Sequence, residues 1–261
     1  MNIIDVSRYE FKYLLNSEAV PEVRRFLLPY CSPDVNAHGT EWYGIQSLYL
    51  DTPEYAFYRA SVDGTAERVK LRVRGYTTGT GPVKLEIKRR IGNIVCKKSF
   101  VTSQEVWGRL HRGDFGSGRE LGRESLPFWR LVDQTRAAPT VLVNYERHAL
   151  HSNVDDYVRV TFDRRILGQS MLKWSLKGDR RAWLSVDDPA TPREEYSTYV
   201  LELKFKIAPP SWLRDMVSTF GLVSRGFSKY ARSVTRLRTD RDPAWDLRTY
   251  PVVPPRVWRV A

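Results

Sequence analysis

Charged and apolar residues alternate in several short segments of this chain, a pattern that is typical of β-strands with one polar and one apolar face. In the segment 8–13, Arg8, Glu10 and Lys12 share one face, and three aromatic residues lie on the other. The same alternation returns at residues 69–74, 83–88, 157–163 and 201–206, and weaker strand candidates are 45–51, 94–101 and 140–147. About eight strands separated by loops predict an antiparallel sheet that can close into a barrel.

The polar faces of these strands carry charges of mostly one sign. Like charges on neighbouring strands of a flat, solvated face would repel each other. An eight-stranded closed sheet has an interior wide enough for side chains and one small ligand. We therefore expect the polar faces to point inward around an anion and the apolar faces to pack under helices. For any single strand, a polar face that meets water is the ordinary alternative.

Five segments have the composition of helices that would cover the outside of such a barrel. Ser17 is the predicted N-cap of a helix that ends at Leu28. Thr102-Ser103-Gln104-Glu105 fits a capping box at the start of the second helix. The other three span residues 126–134, 209–221 and 228–237. The predicted fold class is therefore α+β, an eight-stranded antiparallel closed barrel with helices packed outside it.

Two segments lack the periodicity of regular structure. The stretch Gly113–Gly122 is rich in glycine and is predicted as a loop. Residues 240–261 contain four prolines and two tryptophans, and we expect an irregular strap or a contact surface for another molecule. We expect residues 1–239 to form one domain, because no change in composition within them demands a boundary.

The charge balance indicates an anionic partner. The chain has 42 lysines and arginines against 30 acidic residues, which gives a formal net charge of +12 and a pI near 9.8. Composition alone does not distinguish nucleic acid, lipid headgroups and small polyanions. Nucleic acid is disfavoured, because single-strand binders combine a basic groove with aromatic stacking platforms on the same face. Lys173–Trp183, which mixes basic residues with tryptophan, is a candidate for docking to a membrane surface or a membrane protein, or else an exposed loop.

Several common kinds of site are missing from the sequence. Cys31 and Cys96 lack the spacing of a zinc or redox centre. The spacing of His148 and His151 would serve a metal only on a helix, and the residues beyond them look like a strand. Gly-rich phosphate loops and nucleophile elbows do not occur. No stretch approaches the roughly 20 apolar residues of a membrane-spanning helix, and the first residues do not look like an export signal. We therefore expect a cytoplasmic protein.

A series of short motifs, in order along the chain, carries a family resemblance. These motifs are Arg8-Tyr9-Glu10-Phe11-Lys12-Tyr13, Ser47-Leu48-Tyr49-Leu50-Asp51-Thr52-Pro53, Lys70-Leu71-Arg72-Val73-Arg74, Leu85-Glu86-Ile87-Lys88, Tyr145-Glu146-Arg147, Val158-Arg159-Val160-Thr161, Leu201-Glu202-Leu203-Lys204 and Phe227-Ser228-Lys229-Tyr230. The series resembles the catalytic domain of the vacuolar transporter chaperone (VTC) polyphosphate polymerases, a family of CYTH-like triphosphate tunnel metalloenzymes. The resemblance runs from about Arg8 to Leu237.

The resemblance implies an eight-stranded tunnel whose basic lumen holds triphosphate or polyphosphate, with Mn²⁺ or Mg²⁺ on a glutamate. Glu202 is the implied metal ligand. Strand alternation adds Lys70 and Lys204 on the inward faces, and Ser228 begins a helix whose N-terminus favours phosphate. The phosphate ligands implied by the resemblance are Lys12, Arg72, Arg74, Lys88, Arg147, Arg159 and Lys229, together with Lys97.

The first strand departs from the wider tunnel class, which usually carries Glu-x-Glu-x-Lys there. In this chain the first of those positions is Arg8, so a cation replaces one carboxylate. The departure fits the polymerase branch and argues against a two-metal site. Glu10 is expected to orient Lys12 by an ion pair, and Glu86 is expected to pair with a neighbouring lysine such as Lys88.

The implied activity is transfer of the γ-phosphate of ATP to a growing polyphosphate chain. Phosphoryl transfer needs charge neutralisation and in-line alignment more than covalent help from the protein, and a row of lysines and arginines supplies both. With water as the acceptor, the same site would be a metal-dependent triphosphatase or nucleoside triphosphatase. A tunnel that holds polyphosphate or inositol phosphate without turnover is the non-catalytic alternative.

Overall fold

The computed structural model describes residues 6–34, 40–79, 81–92, 94–112, 122–155, 157–187 and 199–241. Residues 113–121 of the predicted loop and 242–261 of the predicted strap lie outside these ranges. The strands are β1 (Val6–Leu15), β2 (Cys31–Pro33), β3 (Tyr43–Asp51), β4 (Glu67–Tyr76), β5 (Val83–Ile91), β6 (Ile94–Thr102), β7 (Ala138–Ser152), β8 (Arg159–Ser170), β9 (Leu184–Ser185) and β10 (Tyr199–Phe205). The helices are α1 (Ala19–Leu27), α2 (Ala56–Val62), α3 (Gln104–His111), α4 (Leu126–Thr135), α5 (Ser211–Thr219) and α6 (Lys229–Arg241).

Eight of the strands form a closed antiparallel barrel. Their order is β7-β3-β4-β5-β6-β1-β10-β8, and β8 returns to pair with β7. The short strands β2 and β9 extend this sheet by pairing with β7 and β8. The predicted closed barrel with helices outside it is therefore confirmed. All eight strands of the barrel overlap segments predicted from the alternation, whereas β2, β9 and the short α2 were not predicted.

The outward faces of the barrel are apolar and lie under helices. Helices α1 and α5 bury residues such as Leu27 and Trp212 against the outward side chains of β8 and β10, including Val160 and Leu203. On the other side, Phe128 of α4 packs in a second cluster with residues of β4 and β5. Burial of apolar surface against the helices thus fixes which face of each strand points outward.

Helix α6 lies across one end of the barrel and packs on inward-facing side chains. Tyr230 and Val234 of α6 share an apolar cluster with Val141 and Val143 of β7. These valines point inward, because the register pairs them with Tyr49 and Ser47 of β3, and Tyr49 lines the interior. On the side of β7, this end of the interior is therefore filled by apolar packing.

Two predicted helix starts differ by a residue or two from the structure. The first amide of α1, Ala19 N, donates to Asn16 Oδ1 at 2.8 Å, so Asn16 caps this helix and not Ser17. The N-cap of α3 is Ser103, whose Oγ accepts from Val106 N at 3.1 Å. Thr102, the predicted cap, is the last residue of β6. Short polar side chains in a row compete for the same amides, so sequence alone does not select among them.

The candidate membrane-docking segment is partly built into the core. Trp174 and Trp183 pack against the apolar cluster that contains β4 and β5, and Trp174 also lies 5.4 Å from Trp129, centroid to centroid. Its basic residues are exposed. Within the described ranges, no helix has the length and apolar character needed to cross a membrane. The cytoplasmic location stays a prediction.

Candidate functional site

A cavity of about 250 Å³ runs through the barrel interior and receives side chains from all eight barrel strands and from the start of α6. Every site residue predicted from the sequence lines it. Four carboxylates also line it, those of Glu10, Asp34, Glu86 and Glu202. The cations around the cavity are Arg8, Lys12, Lys70, Arg72, Arg74, Lys84, Lys88, Lys97, Arg147, Arg159, Lys204 and Lys229. Cations thus greatly outnumber carboxylates.

Strand register explains why these residues meet. Side chains of directly opposed residues lie on the same face of a sheet. Glu202 of β10 is opposed by Lys12 of β1 on one side and by Thr161 of β8 on the other. Lys204 is opposed by Arg159 in the same way. Because the apolar residues between them are held outward by the helices, each strand presents its charged residues to the interior.

Glu86 holds one group of cations together. Its Oε2 lies 2.5 Å from Arg72 Nε, and its Oε1 contacts Lys97 Nζ. Arg74 Nη1 lies 3.9 Å from the same carboxylate. The Glu86 side chain is only 1% exposed, and burial acts to raise its pKa, but Arg72 and Lys97 hold the pKa well below its usual range. Glu86 is thus ionised, and its partners are Arg72 and Lys97, not the expected Lys88.

Asp163 holds a second group on the other side of the barrel. Both of its oxygens accept hydrogen bonds from Arg147, at 2.6 Å from Nε and 2.8 Å from Nη2, and Oδ2 also accepts from Lys229 Nζ. Asp163 is fully buried, and burial acts to raise its pKa, but Arg147 and Lys229 hold the pKa below its usual range. The sequence placed Asp163 on a polar face with Arg159 but did not identify it as a site residue.

Glu202 lies between these two groups. Its Oε2 is 2.8 Å from Lys204 Nζ and 3.7 Å from Arg147 Nη2, and its Oε1 is 3.7 Å from Lys12 Nζ. Burial acts to raise the pKa of Glu202, but Lys204 and Lys12 hold it well below its ordinary value. Lys12 donates instead to the backbone oxygen of Phe227, at 2.7 Å.

The ion pair predicted between Glu10 and Lys12 is not the one that the structure shows. Glu10 contacts Lys88 Nζ and lies 3.2 Å from Arg8 Nε, so it does not orient Lys12 directly. Burial acts to raise its pKa, but the positive charge of Lys88 lowers the pKa to about 2. Arg8, the residue that departs from the wider tunnel class, is therefore partly neutralised by the next inward residue of its own strand.

The donor set around Glu202 fits a phosphate-borne divalent ion better than a cage made by the protein. Among the residues that the structure describes, no group of three or more histidine, cysteine, aspartate or glutamate side chains could hold a metal. Mg²⁺ is commonly bound through one or two carboxylates together with substrate phosphates. Glu202 lines the cavity, and within the described part of the chain the ion-pair contact of its Oε1 is the 3.7 Å approach of Lys12 Nζ. One protein carboxylate is thus well placed to share an ion with phosphate.

Several lysines around the cavity hold their protons weakly. Burial lowers the pKa of Lys97 and of Lys204 to about 7, despite the carboxylates beside them, and lowers the pKa of Lys12 to about 8. The pKa of Lys70 is well below its ordinary value because of burial and nearby cations. A bound polyanion would reverse these shifts, since an opposite charge favours the protonated form.

The start of α6 takes part in the site. Ser228 Oγ accepts from Lys70 Nζ at 2.7 Å and from Ala231 N at 3.1 Å, so Ser228 both caps the helix and lines the cavity. Asp51, in the Ser47–Pro53 motif, is a buried anchor. It accepts hydrogen bonds from backbone amides at the start of α2 and from the Tyr230 hydroxyl of α6. The motif therefore fixes the position of α6 and not a substrate.

Two tyrosines that line the cavity, Tyr43 and Tyr76, lie at the opposite end from α6. Along β4 the inward residues run from Lys70, which contacts Ser228, to Tyr76. The rings of Tyr76 and Tyr43 lie 6.0 Å apart, centroid to centroid, and both are half-buried. Tyr49 also lines the cavity, but its ring stacks on Tyr230 of α6 at 5.0 Å, centroid to centroid, and its hydroxyl receives a hydrogen bond from Arg72 Nη1 at 3.2 Å.

Comparison with known proteins gives one family match. The model of the VTC domain family matches residues 7–238, and no curated protein matches the chain in sequence. Among solved structures, similarity extends to the PH1819 protein from Pyrococcus horikoshii OT3, with 13% identity, 89% of this chain and 99% of that chain covered, and a TM-score of 0.44. A putative adenylate cyclase (bh2851) from Bacillus halodurans has 12% identity over 86% of this chain and 95% of its own, with a TM-score of 0.45. HpAC1 from Hippeastrum, titled a putative adenylyl cyclase with a dominant triphosphatase activity, has 15% identity over 88% and 96%, with a TM-score of 0.45.

Proposed function

The chain belongs to the VTC domain family, and we propose that it is a polyphosphate polymerase that uses ATP. Membership in this family supports a polyphosphate-related or triphosphatase function and a phosphoryl-transfer enzyme. The finer assignment concerns the acceptor: the γ-phosphate of ATP goes to the end of a polyphosphate chain.

The observation that carries this proposal is the convergence of cations from seven of the eight barrel strands, and from α6, on one cavity. A folded protein that brings so many like charges together without a ligand loses stability through their repulsion. A linear chain of phosphates supplies the missing negative charge along the length of the cavity. The cavity therefore has the shape and charge for a triphosphate or polyphosphate, whereas a compact monoanion would leave most of the cations unbalanced.

Two arginines are the main candidates for contacts to the transferred phosphate. Arg72 is held by Glu86 and Arg147 by Asp163, each with a hydrogen bond from Nε. Arginine presents a rigid fork of donors that matches phosphate oxygens. Because both forks are fixed before substrate binds, little reorganisation is needed as charge develops in the transition state.

Lysines complete the phosphate contacts as point charges. Two of them, Lys12 and Lys204, lie beside Glu202, and Lys88 contacts Glu10. All three lysines line the cavity. The proposed phosphate contacts also include Arg74, Arg159, Lys70, Lys97, Ser228 and Lys229, all of which line the same cavity. Glu202 would hold Mn²⁺ or Mg²⁺, which would supply positive charge that offsets the negative charge of the transferred group.

The reaction in this site is an in-line displacement. A terminal oxygen of the bound polyphosphate attacks the γ-phosphorus of ATP, the bond from that phosphorus to the β,γ-bridging oxygen breaks, and ADP leaves. Arg72 and Arg147 hold the transferred group from opposite sides of the barrel, and the charges around it stay fixed. The nucleoside lies at the tyrosine end, where the rings of Tyr43 and Tyr76 are half-buried and can contact a base.

Triphosphatase activity is the second candidate. It is supported by the same charge arrangement, since every group that stabilises the transferred phosphate would act equally well with water as the acceptor. The polymerase is preferred because the cationic lining continues on both sides of Glu202, from Arg159 to Lys70. A second phosphate-containing substrate would have contacts there, whereas water needs none.

The test is to incubate the purified protein with ATP and Mn²⁺ and to separate the products on a gel that resolves phosphate chains. The proposal predicts a ladder of chains and the release of ADP. Free phosphate without chains would support the triphosphatase. If the folded protein shows no turnover, the result would support the non-catalytic alternative, a tunnel that only binds polyphosphate or inositol phosphate. Glu202→Gln is expected to lower turnover by about 10²–10³. The matched control is Glu146→Gln, since Glu146 pairs with Arg164 and Arg165 outside the cavity lining.

A further inference from the structure

Lys97 and Lys98 are neighbouring lysines that β6 presents to opposite sides of the barrel wall. Lys97 lines the cavity and is opposed to Lys88 of β5, whereas Lys98 is opposed to Ile87, which points outward. The side chain of Lys97 is 20% exposed, so its amine is accessible from the cavity. Lys98 is exposed on the outside of the barrel. The two lysines therefore differ in their surroundings and not in their place along the chain.

The amine of Lys97 shares a carboxylate with two arginines. Lys97 Nζ contacts Glu86 Oε1, and Arg72 Nε lies 2.5 Å from the other oxygen of the same carboxylate. Arg74 Nη1 lies 3.9 Å from Glu86 Oε1. Arginine binds phosphate oxygens with a planar fork of N–H donors. A phosphate group held by these two arginines therefore lies beside the Lys97 amine.

The contact with Glu86 does not keep Lys97 fully protonated. Burial and the two nearby arginines lower the pKa of Lys97 to about 7, against the pull of Glu86. An ordinary lysine has only about one part in 10³ of uncharged amine near neutral pH. At Lys97 the uncharged form is a large fraction, and the uncharged amine is the nucleophilic form. A nucleophile thus lies next to a phosphate-binding group.

We propose that Lys97 is acylated by small acyl phosphates that bind in the cavity through their phosphate group. The inference rests on one part of the proposed function, the binding of phosphate by the cavity cations. Lys97 Nζ attacks the carbonyl carbon, an amide bond forms, and the bond from that carbon to the bridging oxygen breaks. Inorganic phosphate leaves and takes the proton of the amine. Arg72 and Arg74 stabilise the charge that develops on the leaving phosphate.

Two chemical requirements define this class of reagent. The arginines select a phosphate group, and the amine needs an activated acyl carbon within reach of that phosphate. Acyl phosphates combine both groups in one small molecule. Inorganic phosphate meets only the first requirement, and a neutral activated ester meets only the second.

Acylation would change what the cavity binds. It replaces the ammonium of Lys97 by a neutral amide, so the cavity loses one positive charge. Glu86 then keeps only Arg72 and Arg74 as partners of those described above, and it offsets a larger share of their charge. Acylated protein is therefore expected to bind tripolyphosphate about tenfold more weakly than unmodified protein. Acyl phosphates would in this way inhibit the proposed activity.

The test compares two acetylating reagents on the unchanged protein: acetyl phosphate, and N-hydroxysuccinimidyl acetate, which has no phosphate. Mass spectrometry of a peptide that contains both lysines gives the ratio of acetylation at Lys97 to acetylation at Lys98. Acetyl phosphate is expected to give a ratio about tenfold higher than the ester does. Tripolyphosphate added to the reaction should remove this excess and leave the acetylation of Lys98 unchanged.

Arg72→Gln and Arg74→Gln separate binding of the reagent from reactivity of the amine. Each is expected to lower the acetyl phosphate rate at Lys97 by about tenfold relative to the ester rate at the same lysine. A changed pKa of Lys97 affects both reagents and cancels in this comparison. The matched control is Arg89→Gln, which removes one positive charge from the outward face of β5, where Arg89 is opposed to Cys96. It should leave the relative rate unchanged.

Calorimetry with tripolyphosphate distinguishes failure of this inference from failure of the proposed function. If the unchanged protein binds tripolyphosphate but both reagents give the same ratio of Lys97 to Lys98, the acylation site is wrong and the proposed function stands. Faster reaction of acetyl phosphate at another lysine of the cavity would also overturn the assignment to Lys97. If the protein does not bind tripolyphosphate, the proposed function fails and the phosphate-directed acylation fails with it.

Discussion

The barrel interior contains two regions that follow opposite rules. On β4, β5 and β6 the inward side chains are mostly cations, such as Arg72 and Lys97. On the first half of β7 and the second half of β8 they are apolar, such as Val143 and Ile166, and they pack against α6. The apolar region supplies stability by removing surface from water. In the cationic region, repulsion between like charges is expected to reduce the stability of the free protein. The apolar region offsets this loss, so the cations can stay together in the absence of an anion.

Asp163 stands where the two regions meet, and its removal is expected to have the largest effect. Asp163→Asn leaves Arg147 and Lys229 buried without their shared counter-charge. The free energy of unfolding is expected to fall by about 3–5 kcal/mol, measured by urea denaturation. Tripolyphosphate should restore part of the loss, because binding stabilises the folded state.

The matched control for Asp163 is Glu146→Gln on β7. Glu146 bonds Arg164 and Arg165, and its side chain is 31% exposed. Ion pairs of this kind contribute at most about 1 kcal/mol. Equal losses from the two substitutions would contradict the role of Asp163 as the anchor of two buried cations.

Gly168 tests the apolar region directly. A Cβ at this position would lie 2.8 Å from Cβ of Ser233 on α6, so the helix would have to move. Gly168→Ala is expected to lower the free energy of unfolding by about 1–3 kcal/mol, and Ser233→Gly in the same chain should relieve part of that loss. Gly108→Ala on α3, where the new Cβ has space, should be neutral or stabilising. A neutral Gly168→Ala would show that α6 is not packed closely on β8.

Lys97 gives a pH dependence in the cationic region. Its pKa of about 7 in the free protein is set by burial and by nearby arginines, against the pull of Glu86. Below pH 7 the ammonium is present and, in the proposed function, would contact phosphate, and as the pH rises the free protein loses this proton. Tripolyphosphate affinity of the unchanged protein is expected to fall relative to Lys97→Met by up to about tenfold per pH unit above 7. Parallel pH profiles of the two proteins would contradict this assignment.

Substitution of Lys70 is expected to have the smallest effect on the free energy of unfolding. The expected change is a gain in stability, whereas Gly168→Ala in the apolar region is expected to cause a loss. The pKa of Lys70 is lowered by burial and then by cations, so its charge is unfavourable in the free protein. Lys70→Met is expected to raise the free energy of unfolding by about 1 kcal/mol while weakening tripolyphosphate binding. Lys98→Met, on the outward face, should change neither quantity. A loss of stability in Lys70→Met would mean that the contact to Ser228 outweighs the repulsion.

The cationic region was predictable from the sequence because its strands alternate cleanly. The inward positions of β4 and β5 were identified from period-two alternation, and the structure brings all of the predicted site residues to one cavity. What the pattern does not contain is pairing across the barrel. Glu86 contacts Arg72 and Lys97 and not Lys88, because partners depend on side-chain reach and not only on register.

The apolar region was harder to predict because its strands are buried on both faces. The run Val141-Leu142-Val143 has no alternation, which is what a strand covered on both sides shows. That run was a signal that something apolar would fill part of the interior, but the sequence does not say that α6 would do so. Asp163 was missed for a related reason. In the sequence, one acidic residue on the polar face of a strand cannot be distinguished from a solvent-exposed residue, because its neighbours across the barrel are not known.

A crystal structure of the protein with tripolyphosphate would show whether the cations of the cavity bind linked phosphates. We expect three phosphates inside the barrel, in contact with Arg72 from one side and with Arg147 and Lys229 from the other. Phosphates found only on the outer surface, or a cavity without phosphate at saturating tripolyphosphate, would contradict the claim that these cations bind linked phosphates.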